Sequence, residues 1–212
     1  DEHLEYYGSI NKLKKSFANF AEKTPSFGKT FISLDDRNNR SIINKIKNQN
    51  IITYGLNQKS NFRILNIHLQ SNISKFDLEI KLPNQRKKII KSFKIPLIGV
   101  HNIKNCSASI AVAIMMGISV KLIKKAILEF KGVQRRFNFI FESKKSLYYD
   151  DYAHHPTEIN SILNAVRESY KKRKVIAVFE PHRYSRVESL KLDFSKSFTK
   201  ADLVLICPIY AA

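Results

Sequence analysis

Apolar residues along this chain change rhythm several times, and each change predicts an element. From Asn11 to Ala21 they fall at Leu13, Phe17 and Phe20, a helical spacing. Phe31–Leu34 and Ile51–Tyr54 are short apolar runs that predict strands, with a helical stretch around Ile42–Ile46 between them. Between Phe62 and Ile95 the period drops to two. Leu65, Ile67 and Leu69 alternate with polar residues, as do Phe76, Leu78, Ile80 and Leu82, which predicts half-buried antiparallel strands. Asn102–Met116 then predicts a helix stopped by Gly117. Ser119 caps a second, with Leu122, Ile123, Ala126, Ile127 and Phe130 as its apolar stripe.

Gly132 is the expected domain boundary, giving domains over 1–131 and 132–212. Beyond it the rhythm is strand, helix, strand, helix, strand, with strands at Leu147–Asp150, Val175–Phe179 and Leu203–Ile206. The clearest helix is Pro156–Lys171, with Ile159, Ile162, Leu163 and Val166 on one face. Such alternation predicts an α/β fold with a parallel sheet and right-handed crossovers.

Composition changes this picture little. Hydrophobic residues at 43% and charged residues at 26% suit a soluble globular protein with a real core. The longest apolar stretch, Ile110 to Ile118, is far too short to span a bilayer, so no membrane association is expected. Cys106 and Cys207 are too few and too distant for a disulfide framework or a zinc site, which points to a cytoplasmic protein with reduced thiols. The net charge of +19 raises the question of nucleic acid. Yet Lys is mixed throughout with Ile and Asn, as in Ser41 to Ile52, so it reads as a compositional bias that fills solvated positions. No nucleic-acid-binding signature accompanies it, and a partner of that kind is not expected.

Two polar segments follow predicted strands and open predicted helices. They are Asp150-Asp151-Tyr152-Ala153-His154-His155-Pro156-Thr157-Glu158 and Phe179-Glu180-Pro181-His182-Arg183-Tyr184-Ser185-Arg186. Acids, histidines and arginines thus gather at the carboxyl edge of a parallel sheet, where open α/β folds bind ligands. Guanidinium groups there suit planar carboxylates or phosphates, and carboxylates suit ribose hydroxyls. Read from the residues alone, Asn102 is also a helix cap, Asn105 a solvated side chain and His3 a surface histidine. His154 and His155 could suggest a metal pair, but adjacent residues diverge and no third ligand stands at a fixed spacing.

These two segments resemble the C-terminal domain of the Mur ligases. Three further segments agree with that family in order: Asp1-Glu2-His3-Leu4-Glu5-Tyr6-Tyr7, Gly99-Val100-His101-Asn102-Ile103-Lys104-Asn105 and Gly132-Val133-Gln134-Arg135-Arg136-Phe137. The resemblance implies the end of a central ATP-binding domain followed by a Rossmann-like C-terminal domain. It implies ATP and Mg²⁺ as cofactors, UDP-N-acetylmuramate and L-alanine as substrates, and an amide bond formed through an acyl phosphate. Position by position, it implies that His3 is a magnesium ligand. Asn102 and Asn105 would meet the adenine and ribose, and Arg136 and Asp151 would close over the nucleotide. His154 would stand beside the incoming amino acid, and Arg183 and Arg186 would hold its carboxylate. The family commonly has Asp-His-x-Asp where this chain has Glu2-His3-Leu4-Glu5.

No Gly-rich loop ending in Lys-Ser/Thr occurs, although the family carries one upstream, and the chain begins with Asp1. A fragment that is inactive alone is therefore expected. A recycling ligase of the same family, which adds a preformed peptide to the same sugar nucleotide, is the alternative. A basic nucleic-acid-binding module is the reading from another class.

Overall fold

The computed structural model describes residues 4–47, 50–70 and 72–211. The described residues gather into two compact units. One lies within 1–67, 76–93 and 104–124, the other within 68–75, 94–103 and 125–212.

The first unit begins with α1 (Leu4–Tyr7) and α2 (Ile10–Glu22). Ser9 caps α2 by accepting the Lys12 N–H, which meets one of the donors a helix start leaves open. Then come β1 (Thr30–Ser33), α3 (Arg37–Ile43) and β2 (Ile51–Gly55). β1 and β2 pair in parallel from Thr30↔Ile51 to Ser33↔Tyr54. Ala18, Ala21, Ile32, Ile42 and Ile46 form the core between them. The expected helix is present, and it packs through its alanines: Phe17 and Phe20 are exposed, and Ala18 and Ala21 are buried. Small side chains let α2 lie close to Ile32 and Ile42, which a pattern weighted by hydrophobic size does not anticipate. Ile46 is buried as expected, but α3 stops at Ile43.

β3 (Phe62–Gln70), β4 (Ile73–Ile80) and β5 (Lys88–Ile95) complete a sheet of order β1-β2-β3-β4-β5. β3 joins β2 in parallel through Tyr54↔Phe62 and Gly55↔Arg63. Phe76, Leu78 and Ile80 are buried on alternate positions, as their spacing predicts, and Phe76 stacks on Phe93. α4 (Val100–Met115) follows, and Gly117 ends it at φ +80° with the N–H of Ile118 returning to the Ala113 carbonyl. In α5 (Val120–Glu129) only Ile123 of the expected stripe is buried; Leu122 and Phe130 are exposed.

The C-terminal part departs from expectation in its sheet. β6 (Asn138–Ser143), not foreseen, pairs antiparallel with β7 (Ser146–Asp150) in a hairpin turned by Lys144 at φ +53°. β8 (Ile176–Phe179) and β9 (Leu203–Ile206) are parallel, from Ile176↔Leu203 to Phe179↔Ile206. Among the described residues β7 pairs with β6 and does not join that parallel ladder. α6 (Pro156–Ser169), α7 (Tyr184–Ser189) and α8 (Lys191–Ser197) connect these strands. Ile159, Leu163, Val175, Phe179 and Phe194 form their shared core. Among the described residues no helix is long and apolar enough to cross a membrane.

Candidate active site

The segment 132–137 is built from backbone that ordinary residues avoid. Arg135 and Phe137 both have left-handed φ, +56° and +50°, with Arg136 between them. Such a conformation costs about 1–3 kcal/mol at each non-glycine residue and persists only where its surroundings enforce it. Here they do. Phe137 stacks on Tyr149 with ring centroids 4.2 Å apart and planes within 6°, while the Arg135 guanidinium lies 4.5 Å above the Tyr152 ring. The Tyr152 N–H donates to the Arg135 carbonyl, at 2.8 Å. With both neighbours held, Arg136 points outward and meets Glu158 at 3.2 Å.

Asp151 is the partner of this turn. One carboxylate oxygen accepts the Phe137 N–H and the other accepts the Ala153 N–H, both at 2.7 Å. Burial pushes its pKa up, and the two N–H groups and Arg136 only partly offset that. Asp151 was expected to serve ribose hydroxyls; each oxygen keeps a second lone pair for that purpose while the first braces the loop.

The start of α6 follows from its sequence. Pro156 occupies the first turn, the His155 side chain accepts the Thr157 N–H, and Glu158 accepts the His155 N–H at 3.3 Å, a reciprocal cap. Glu158 also accepts the His154 N–H at 3.1 Å. Burial would raise its pKa, but that N–H, the Arg136 hydrogen bond and the nearby His154 ring hold the carboxyl below the ordinary glutamate range. His154 Nδ1 stands 2.9 Å from the Tyr152 carbonyl and 3.5 Å from Glu158. His155 is thus a cap, and among the described residues no set of three His, Cys, Asp or Glu side chains could hold a metal. His3 and Glu2 lie outside the described residues.

Asn102 lies in the first turn of α4 and its side-chain amide donates to the Ile98 carbonyl at 2.8 Å, so it braces the loop before the helix. Asn105, one turn on, is exposed. Gly99 explains how that loop fits. Its φ is +91°, and a Cβ there would stand 2.7 Å from the Ala165 Cβ and 2.8 Å from the His101 ring. The loop therefore packs backbone-first against α6. Burial pushes the His101 imidazole toward its neutral form, with Asp151 opposing and Arg136 reinforcing that shift. His101, Arg136 and Asp151 thus share one electrostatic neighbourhood, and Asn102 follows His101 in the chain.

The second polar segment continues the β8–β9 ladder. His182 bridges Tyr210 in parallel, the Arg183 N–H donates to the Tyr210 carbonyl at 2.9 Å, and the Tyr210 N–H donates to Pro181 at 2.8 Å. Arg183 is exposed with φ +64° ahead of α7, whereas Arg186 is half-buried in that helix. The Tyr152 ring lies 5.2 Å from His154 and 6.3 Å from His182, which in turn lies 5.2 Å from Tyr210. This strip brings the His154 loop and the Arg183 loop together. Tyr152, His182, Tyr210, Glu158 and His101 were not singled out from sequence. Glu158 alone had a local signal, as the third residue after the helix cap.

Comparison with known proteins agrees over the whole chain. Residues 1–113 match the Mur ligase middle domain and residues 135–209 the Mur ligase glutamate ligase domain. A UDP-N-acetylmuramate–L-alanine ligase of Pelagibacter ubique is 53% identical over 211 residues, covering all of this chain and 46% of that relative. One from Agrobacterium fabrum is 41% identical, covering 100% of this chain and 45% of its own length. The chain thus spans about half the length of the curated relatives it matches. Among solved structures, the UDP-N-acetylmuramate-alanine ligase MurC of Thermotoga maritima matches with TM-score 0.76 and 25% identity, over 99% of this chain and 44% of that one. A murein peptide ligase from Psychrobacter arcticus shares the fold with TM-score 0.61 at 24% identity, over 92% of this chain and 40% of that one.

Proposed function

This chain belongs to the Mur ligase family, and we propose that it is the part of a UDP-N-acetylmuramate–L-alanine ligase that carries the later central domain, 1–131, and a Rossmann-like C-terminal domain, 132–212. The muramoyl carboxylate takes the γ-phosphoryl group of ATP, giving an acyl phosphate and ADP, and the amine of L-alanine then attacks the acyl carbon, forming the amide and expelling phosphate. ATP supplies the phosphoryl group that activates the carboxylate. The proposed place of work is the cytoplasm, in peptidoglycan precursor synthesis. The relatives named above, 53% and 41% identical over this whole chain, support the alanine-adding activity.

The observation that carries the site reading is that one loop, 150–158, faces two neighbours. Through Asp151 it meets the Arg136 turn, and through Tyr152 it meets His182 beside Arg183. Asn102, Asn105, Arg136 and Asp151 are proposed to hold the nucleotide. Amides match an adenine edge, the guanidinium suits phosphate, and the carboxylate suits ribose hydroxyls. Arg183 and Arg186 are proposed to hold the carboxylate of alanine. The His154 ring is held by its Nδ1, which faces the Tyr152 carbonyl and Glu158. His154 is proposed to stand beside the incoming amino acid and to help orient its amine for attack. Magnesium is proposed at His3, by resemblance alone. Fixed placement of these groups, more than any single contact, supplies the rate.

The test is a ligation assay on the full-length protein with ATP, magnesium and UDP-N-acetylmuramate, offered either L-alanine or a preformed peptide. Alanine ligation is the expected result. Ligation of the peptide alone would move the protein to the recycling branch, and steeply salt-dependent DNA binding without any ligation would overturn both.

A further inference from the structure

We infer that Glu158 is a positioning residue that couples the nucleotide side of the site to the amino-acid side. The inference rests on the functional reading above. Its basis is the set of partners that this single carboxylate serves. Oε1 receives the Arg136 guanidinium at 3.2 Å. Oε2 accepts the backbone N–H of His154 at 3.1 Å and of His155 at 3.3 Å, and lies 3.5 Å from the His154 ring nitrogen. Arg136 and His154 are assigned to different substrates, and they do not touch the same group anywhere else among the described contacts.

An ordinary helix cap does not need this arrangement. The reciprocal cap of α6 is complete once Glu158 accepts the His155 N–H and His155 accepts the Thr157 N–H. The Arg136 contact crosses 22 residues of sequence and uses the oxygen that the cap leaves over. Arg136 is also held between two left-handed residues, so its backbone is already fixed, and Glu158 sets where the guanidinium ends. A charge placed there aims Arg136 from one side while it fixes the peptide that carries His154. Loss of the charge should loosen both, although the helix remains capped.

Glutamine separates the two roles, because its amide oxygen still accepts N–H groups while the charge is gone. In the full-length enzyme, Glu158→Gln should keep its melting temperature close to wild type. It should raise KM for ATP and for L-alanine together, each about 3- to 10-fold, the range for a partly exposed charged hydrogen bond. Arg136→Ala should raise KM for ATP alone. In the double variant the two ATP effects should fall short of their product, because they remove one interaction. Glu158→Asp, which shortens the arm, should not restore either KM.

Unchanged KM values in Glu158→Gln would reduce Glu158 to a helix cap and overturn the inference. So would a lower KM for ATP, which would mean that Glu158 restrains Arg136 from the nucleotide. Multiplicative effects in the double variant would show that the two residues act apart. A wild-type enzyme that makes no alanine product would remove the functional reading itself, a failure distinct from these.

Discussion

The backbone N–H of Phe137 donates to the Asp151 carboxylate at 2.7 Å. That bond joins a turn held in left-handed conformation to the loop that carries most of the candidate chemistry. An acid assigned to a ligand is therefore also a brace, and the two duties can be separated by substitution.

Asp151→Ala removes the acceptor for two N–H groups and should destabilise the full-length protein by about 1–3 kcal/mol. Asp151→Asn keeps one carbonyl oxygen and should lose less. Both should raise KM for ATP with little change in uridine-nucleotide binding. Denaturant unfolding and ATP-dependent kinetics check the two effects. Unaltered ATP kinetics in both variants would leave Asp151 as a brace only.

His101 gives a pH signature. Burial lowers its folded pKa below the unfolded value of about 6.5, so the folded state binds its proton less readily than the unfolded chain does. Its contribution is intact above about pH 6.5 and is lost as pH falls through that value toward the lower folded pKa. Between about pH 7.5 and 5.5 the wild type should lose more melting temperature than His101→Gln. Parallel melting curves across that range would show that protonation of His101 carries no penalty.

Arg183 and Arg186 should separate backbone from charge. Relief of the +64° φ by glycine is worth about 1–2 kcal/mol, less about 0.4–1 kcal/mol for the freer unfolded chain. Arg183→Gly should thus be more stable than Arg183→Ala, while both lose the guanidinium. Arg186→Ala should weaken use of alanine by about 10- to 150-fold in kcat/KM, and Arg186→Lys should rescue it only in part, lacking the planar fork. If only the ATP dependence moves, the arginines serve phosphate.

Gly99→Ala tests the packing of the loop before α4. The new methyl would meet the Ala165 Cβ, which cannot rotate away, and the +91° φ would add strain. A loss of about 2–5 kcal/mol is expected, the sum of overpacking and left-handed strain. A thermal denaturation within a degree of wild type would show that the loop lifts off α6 at little cost.

Some of this was legible in the sequence and some was not, for physical reasons. α6 was readable because Pro156 and Glu158 mark its start and Ile159 and Leu163 fall on one face. β6 was not, because Phe139, Ile140 and Phe141 are all exposed, so no alternation of burial shaped the sequence there. The helix α2 was legible from its apolar spacing, but which residues it buries was not, because Phe17 and Phe20 dominate the pattern while Ala18 and Ala21 do the packing. The left-handed turn around Arg136 had no signal, since neither Arg135 nor Phe137 is a residue that favours it. The candidate site residues were proposed from motifs, but the partners that hold them, such as Glu158 for Arg136, lie too far along the chain for spacing to reveal.

The chain contains nine tyrosines and no tryptophan. Within this chain tyrosine emission is therefore not drained into an indole, and its tyrosines can act as optical reporters. Tyr152, beneath the Arg135 guanidinium and beside His182, reports on the loop proposed to receive both substrates. Tyr149 and Tyr170, whose hydroxyls stand 2.8 Å apart, report on the hairpin and the end of α6. A ligand titration followed at the tyrosine emission band, repeated in Tyr152→Phe, would assign the signal of the loop without any label.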